Sequence, residues 1–215
     1  MVIIGLTGSV GMGKSTAADM FRAMRIPVCD SDALVHGFMG PNGQALPAIG
    51  DAFPGVVGEN GVDRAALGQI VFNDTAALRR LEGILHPMVW NAQEKFLRSA
   101  TMAGNELAVL DVPLLFEGKT DRRCDVVVVV TAPAFLQRQR VMRRPGMTEE
   151  RFQGTLAHQM SDFEKRKRAD FVVQTGLGRH VTFMALKAIA ADARALTPRK
   201  WRPGWVRNGE RSGHA

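Results

Sequence analysis

Cysteine is scarce in this chain. Of its 215 residues only Cys29 and Cys124 are cysteine, and they stand far apart, with no metal-ligand or disulfide spacing. A cysteine framework is thereby excluded, and the pair reads as reduced thiols of a cytoplasmic protein. The apolar run that opens the chain, VIIGL, has no basic segment ahead of it. It is too short for a signal peptide or a membrane span, so a buried strand is expected instead, and no membrane partner. Internal repeats are absent, as is low-complexity sequence outside the C-terminal tail.

Acidic residues are also in deficit: the formal charge is +7. Its distribution argues against a general polyanion binder, which needs a broad basic face. Residues 197–215 hold five Lys/Arg against one Glu, and residues 138–168 hold nine against four acids. The remainder is therefore slightly negative. The inner basic segment reads as a phosphate-handling element, and 197–215, rich in Pro and Gly, as a flexible basic tail. No nucleic-acid partner is expected. Hydrophobic residues at 46% and charged residues at 23% fit one soluble domain with a substantial core.

Five apolar runs, at 2–6, 26–29, 107–112, 125–131 and 170–174, alternate with helical patterns. Runs apolar on every residue suit parallel strands covered on both faces. The expected fold is α/β, a doubly wound parallel five-stranded sheet with right-handed crossovers. Helical periodicity at about 61–103 reads as an inserted substrate-binding region, and 134–168 as a helical lid. The core is then about 1–60, 104–133 and 169–196.

GSVGMGKS, directly after the first strand, places Gly8, Gly13, Lys14 and Ser15 in a P-loop. Glycines let successive N–H groups converge on phosphate oxygens at a helix N-terminus. Lys14 would reach the β and γ oxygens, and the Ser15 hydroxyl would bind Mg²⁺. This says nucleoside triphosphate and nothing finer. VCDSD adds Asp30 and Asp32 at the carboxyl edge of the sheet. Each could serve as general base or hold Mg²⁺ through water, or could cap the next helix. Period-two alternation would aim both carboxylates the same way if the strand persists. Asp111 ends the third strand where a metal-binding acid would sit. Glu117, in the loop beyond, is within reach of the site or is a solvated loop acid. Arg140 and Arg144, four apart, would share a helical face, either clamping phosphate or merely solvated. RPG after them suits a lid hinge.

Together these stretches resemble the dephospho-coenzyme A kinases. The likeness runs over about residues 1–190, through GLTGSVGMGKST, VCDSDALVH, LHP, DVPLLFE, QRQRVMRRPGMT and ADFVVQTG. It implies a P-loop NTPase-type kinase that transfers the γ-phosphoryl of ATP to the ribose 3′-hydroxyl of dephospho-CoA, with Mg²⁺ as cofactor. It also implies that Gly11, Met12, Gly13, Lys14, Ser15 and Thr16 hold the ATP phosphates, with Arg144 supporting. Asp32 would be the general base and Lys14 and Arg140 would neutralise charge. His86, Leu115 and Glu117 would contact the acceptor, and Ser15 and Asp111 the metal. Thr175 is a departure, since the family often has Asn there, near the adenine. The oligomeric state, monomer or weak homo-oligomer, stays open. Among rivals, a shikimate- or nucleoside-monophosphate-type kinase would lack DVPLLFE followed by this lid. A GTPase needs an Asn-Lys-x-Asp guanine reader, and no Asn-Lys pair occurs. A nucleic-acid-dependent ATPase would use the basic tail and depend steeply on salt.

Overall fold

Val2–Thr7 forms strand β1, buried at every residue. The computed structural model describes residues 1–72 and 74–201. In it β1 pairs in parallel with β5 (Leu107–Asp111) on one side and β6 (Val126–Thr131) on the other. Beyond β5 lies β2 (Val28–Asp30), and beyond β6 lies β7 (Phe171–Gln174), giving the order β2-β5-β1-β6-β7. All five expected strands are present. From the central β1 the chain crosses outward to β2, returns to β5, and crosses again to β6 and β7. Ligands of such sheets bind at the carboxyl ends of the strands, where that reversal opens a crevice.

The unbroken valines of β6 are explained by two covered faces. Val126, Val128 and Val130 join a cluster with Ile4, Phe21 and Leu186, between the sheet and helices α1 (Lys14–Ala23) and α9 (Arg179–Arg194). Val127 and Val129 turn the other way, joining Ile3, Leu97 and Leu110 beneath the last turns of α5 (Thr75–Met102). With water excluded from both sides, alternation has nothing to select for.

A third cluster lies off the sheet. It gathers Ile49, Phe53, Val62, Leu67 and Leu85. These come from α3 (Leu46–Ala52) and its C-cap Phe53, the hairpin β3–β4 (Val57–Gly58, Gly61–Val62), α4 (Arg64–Phe72) and α5. Val35 and Phe38 of α2 (Ser31–Met39) pack against it. The helical region thus draws in chain from before residue 61, because apolar residues of 45–62 find their partners there and not on the sheet. The segment between β6 and β7 folds as α6 (Ala134–Met142), α7 (Glu149–Ala157) and α8 (Asp162–Arg168). Among the described residues no helix is long and apolar enough to cross a membrane.

At the opposite end of the sheet from the P-loop, Asp125 acts as a tether. Its Oδ2 accepts from the Ile3 N–H (2.8 Å), and its Oδ1 accepts from those of Arg199 and Lys200 (2.7 and 2.9 Å). Trp201 donates to the Thr101 hydroxyl (2.8 Å) and packs against the second cluster. The start of the expected tail is therefore held, and its remainder, 202–215, lies outside the described residues. Asp125→Ala strips three donors of their acceptor. It should cost about 2 kcal/mol, or roughly 4–8 °C in Tm, and leave kcat unchanged, as thermal unfolding and steady-state kinetics will measure.

Candidate active site

The P-loop is shaped by close approach. Gly11 and Gly13 have φ of 78° and 90°, the left-handed region. A Cβ on Gly11 would also lie 2.6 Å from Val141 Cγ2 and 2.9 Å from the Gln137 carbonyl. Side chains from distant elements fix the loop. Gln137 donates to the Val10 carbonyl (2.8 Å), and the Val10 N–H donates to Gln159 Oε1 (3.1 Å). The Thr175 hydroxyl donates to the Met12 carbonyl (2.7 Å). Helix α1 begins at Lys14, so its first-turn N–H groups, which no helix satisfies internally, converge at the carboxyl edge of β1.

Lys14 lies beside the central strands, its ammonium 2.6 Å from Asp111 Oδ1. Asp111 is 2% exposed. Burial raises its carboxyl pKa, and the ammonium draws it partly back. Asp30 and Asp32 also act on this carboxylate, each pushing its pKa up.

Asp30 and Asp32 take different roles because β2 stops at Asp30. Asp30 is the N-cap of α2, its carboxylate accepting from the Ala33 N–H (3.0 Å). Asp32 falls in the first helical turn, so strand alternation does not relate the two. Its side chain stays open to solvent, yet surrounding protein raises its pKa. Lys14 and His36 pull it down, and Asp30 pushes it up. A solvent-accessible carboxylate with raised basicity, electrostatically coupled to the lysine of a phosphate loop, can take a proton from a substrate hydroxyl.

Arg140 reaches the same loop. Its guanidinium donates to the Thr175 hydroxyl and carbonyl (both 3.0 Å), with a longer contact to the Gly11 carbonyl (3.4 Å). Beside it Gly13, Thr16, Thr175, Arg179 and Thr182 line a cleft of about 320 Å³. Arg144 is not on the same helical face: α6 ends at Met142, and Pro145 disfavours a helical backbone in the residue before it. The Arg144 side chain is exposed and makes no hydrogen bond or ion pair with any described residue.

The DVPLLFE segment is more structural than expected. Leu115 is fully buried in the second cluster, with no side-chain surface for a ligand. Glu117 Oε1 is 3.1 Å from the Lys165 ammonium and accepts from the Met160 N–H (2.7 Å), tying α8 and the loop before it to the segment after β5. Lys165 itself is fully buried and also donates to the Pro113 carbonyl (3.1 Å). His86 lies exposed on α5, stacked on Trp90 with ring centroids 6.1 Å apart. The end of α7 also touches the end of α4: Phe72 and His158 meet edge to face, centroids 5.9 Å apart. Gln137, Gln159 and Lys165 are parts of this assembly that motif reading passes over. Nothing in the run EKRKR separates Lys165 from its neighbours except helical phase.

The family model for dephospho-CoA kinase matches residues 2–178. The chain is 54% identical to the dephospho-CoA kinase of Paramagnetospirillum magneticum over 198 residues, covering 92% of this chain and 93% of that protein. It is 50% identical to that of Mesorhizobium japonicum, covering 90% and 98%. Among solved structures, TT1252 from Thermus thermophilus superposes with a TM-score of 0.79 at 34% identity, covering 89% of this chain and 97% of that one. The dephospho-CoA kinase of Campylobacter jejuni (TM-score 0.59, 21% identity, 89% and 96%) and a shikimate kinase of Acinetobacter baumannii (0.51, 20%, 89% and 94%) share the fold.

Proposed function

The chain belongs to the dephospho-CoA kinase family, and from that premise we infer how its residues pass the γ-phosphoryl group of ATP to the ribose 3′-hydroxyl of dephospho-CoA. The observation that carries the assignment of roles is Asp32, open to solvent and electrostatically coupled to Lys14. Phosphoryl transfer asks for little covalent work from protein, so positioning and charge neutralisation do most of it.

The loop from Gly11 to Thr16 cradles the triphosphate with backbone N–H groups. Lys14 exchanges its bond to Asp111 for the β and γ oxygens. The base of ATP occupies the cleft beside Thr175, Arg179 and Thr182, where the Arg179 guanidinium plane is suited to stacking on an aromatic ring. Arg140, already fixed against the loop through Thr175 and Gly11, adds positive charge beside the transferring group. Asp32 accepts the proton of the 3′-hydroxyl as that oxygen attacks. His86, stacked on Trp90, offers an exposed face to the acceptor. Glu117 supports the lid through Lys165 and Met160, and Arg144 is free to approach ATP only from the lid's outer turn.

Mg²⁺ fits the donors present. The Ser15 hydroxyl is exposed at the head of α1, and the carboxylates gathered around Lys14 supply negative charge and hard oxygen atoms. Among the described residues no three His, Cys, Asp or Glu cluster tightly enough to hold a metal by themselves. That suits an ion which keeps several waters and takes phosphate oxygens as ligands. Ser15 and, once Lys14 has left it, Asp111 would hold the ion, which when bound neutralises charge on the phosphate oxygens.

The test is incubation with Mg·ATP and dephospho-CoA, followed by mass spectrometry and positional analysis of the product. The expected product carries one added phosphate on the ribose 3′-oxygen. Absence of that product, with efficient phosphorylation of shikimate or a nucleoside monophosphate, would overturn the assignment.

A further inference from the structure

One buried side chain of α5 departs from the rest of that helix. Ala77, Leu85, Leu97 and Ala100 are buried and apolar, whereas Gln93, one turn before Leu97, is an amide only 1% exposed. Burying an amide is unfavourable unless its polar atoms are bonded. Both ends of this one are. Nε2 donates to the Ser31 hydroxyl (3.0 Å), and Oε1 accepts from Arg123 Nη1 (3.0 Å), at the end of the 3₁₀ helix Thr120–Arg123. A guanidinium has only donors, so Arg123 fixes which way the amide faces and leaves its NH₂ group for Ser31. Ser31 is the first residue of α2 and stands between Asp30 and Asp32. Among the described residues of α2 it alone is buried. Further along, the helix packs through the partly buried Leu34, Val35, Phe38 and Met39. The first turn of the helix that carries Asp32 is thus held to the interior by a hydrogen bond to α5.

We propose that Gln93 is a positioning residue for the transfer reaction: through Ser31 it sets the rotation of the first turn of α2, and with it the aim of the Asp32 carboxylate. The inference rests on Asp32 as the base. Consecutive helical residues are turned about 100° from one another, so pinning Ser31 inward gives Asp32 a fixed direction toward solvent. The Asp30 cap fixes where the helix begins. The Ser31–Gln93 bond holds that turn against α5, and Arg123 holds the amide.

Gln93→Met keeps the volume and removes both bonds. It should lower kcat about 10-fold, within the ~10²-fold that an ångström of misplacement can cost, and leave the KM for ATP within about 2-fold, because no contact to the P-loop changes. Ser31→Ala should give a similar loss, and the double variant no more than either alone, the signature of one shared bond. Gln93→Glu, whose carboxylate can accept from both the Ser31 hydroxyl and Arg123, should restore most of the rate. The most telling comparison is made in Asp32→Asn. There Gln93→Met should cost less than about 2-fold in kcat, since no base remains to be aimed. An equal loss from Gln93→Met with and without the Asp32 carboxylate, or wild-type kcat in both Gln93→Met and Ser31→Ala, would overturn the positioning role. Should Gln93→Met fold poorly, Ser31→Ala carries the same comparison. Wild-type turnover by Asp32→Asn alone would instead sink the assignment of the base itself.

Discussion

Asp32→Asn will lower kcat by about 10²-fold or more, the scale on which a general base contributes, while the affinity for ATP stays nearly intact. The separation of effects follows from the position of the side chain. Asp32 is exposed and makes no hydrogen bond to the P-loop, and the helix it sits on is capped by Asp30. Amide for carboxylate therefore removes basicity without loosening α2 or the cradle. Calorimetric titration with ATP, beside steady-state turnover of dephospho-CoA, separates the two quantities. The pH dependence supplies a second signature. Asp32 must be ionised to accept a proton, and surrounding protein raises its pKa above the ordinary aspartate value of 3.8. The acid limb of kcat/KM should accordingly lie above that value, with activity lost as pH falls through it.

Lys14→Ala should be costlier still, because it removes a catalytic charge and strands a buried one. Loss of one preorganised donor to the transferring phosphoryl group lowers kcat about 10²- to 10³-fold, and the KM for ATP should rise with it. In the absence of nucleotide, Asp111 then remains 2% exposed with its ammonium partner gone. Removing one member of a buried pair costs about 3–5 kcal/mol. The sign with pH is specific. Burial already raises the Asp111 pKa, and Lys14 opposes that both by its charge and by its hydrogen bond. Without the lysine the folded-state pKa climbs further above the unfolded one. The deficit is then full at high pH and shrinks as pH falls through the raised folded value, where Asp111 takes up a proton. Denaturant melts of wild type and variant across pH will register this as a gap that narrows on acidification.

The sheet was legible because its central strands β1, β5 and β6 are covered on both faces, and burial without alternation leaves a mark on sequence. The P-loop was legible because the spacing of Gly8, Gly13, Lys14 and Ser15 after an apolar strand is what a phosphate-binding turn needs. Other features were not. Local pattern let either Asp30 or Asp32 cap the next helix, with only the resemblance singling out Asp32 as the base. The end of β2 makes Asp30 the cap and leaves Asp32 in the first turn of α2. Proximity of Arg140 and Arg144 in sequence suggested a shared face, but Pro145 ends that helix between them. Leu115 and Glu117 sit in a motif-bearing segment, yet one fills the core and the other fastens α8. Both outcomes depend on Lys165 and on the second cluster, contacts across distances in sequence that local pattern does not encode.

The central claim is that a sugar hydroxyl fits between Asp32 and a triphosphate gripped by the P-loop. A structure of the complex with dephospho-CoA and a non-hydrolysable ATP analogue measures this directly. The account predicts the 3′-oxygen at hydrogen-bond distance from the Asp32 carboxylate, about 2.6–3.2 Å, and in line with the γ-phosphorus. A 3′-oxygen bonded to another residue, with Asp32 facing away from it, would contradict the account.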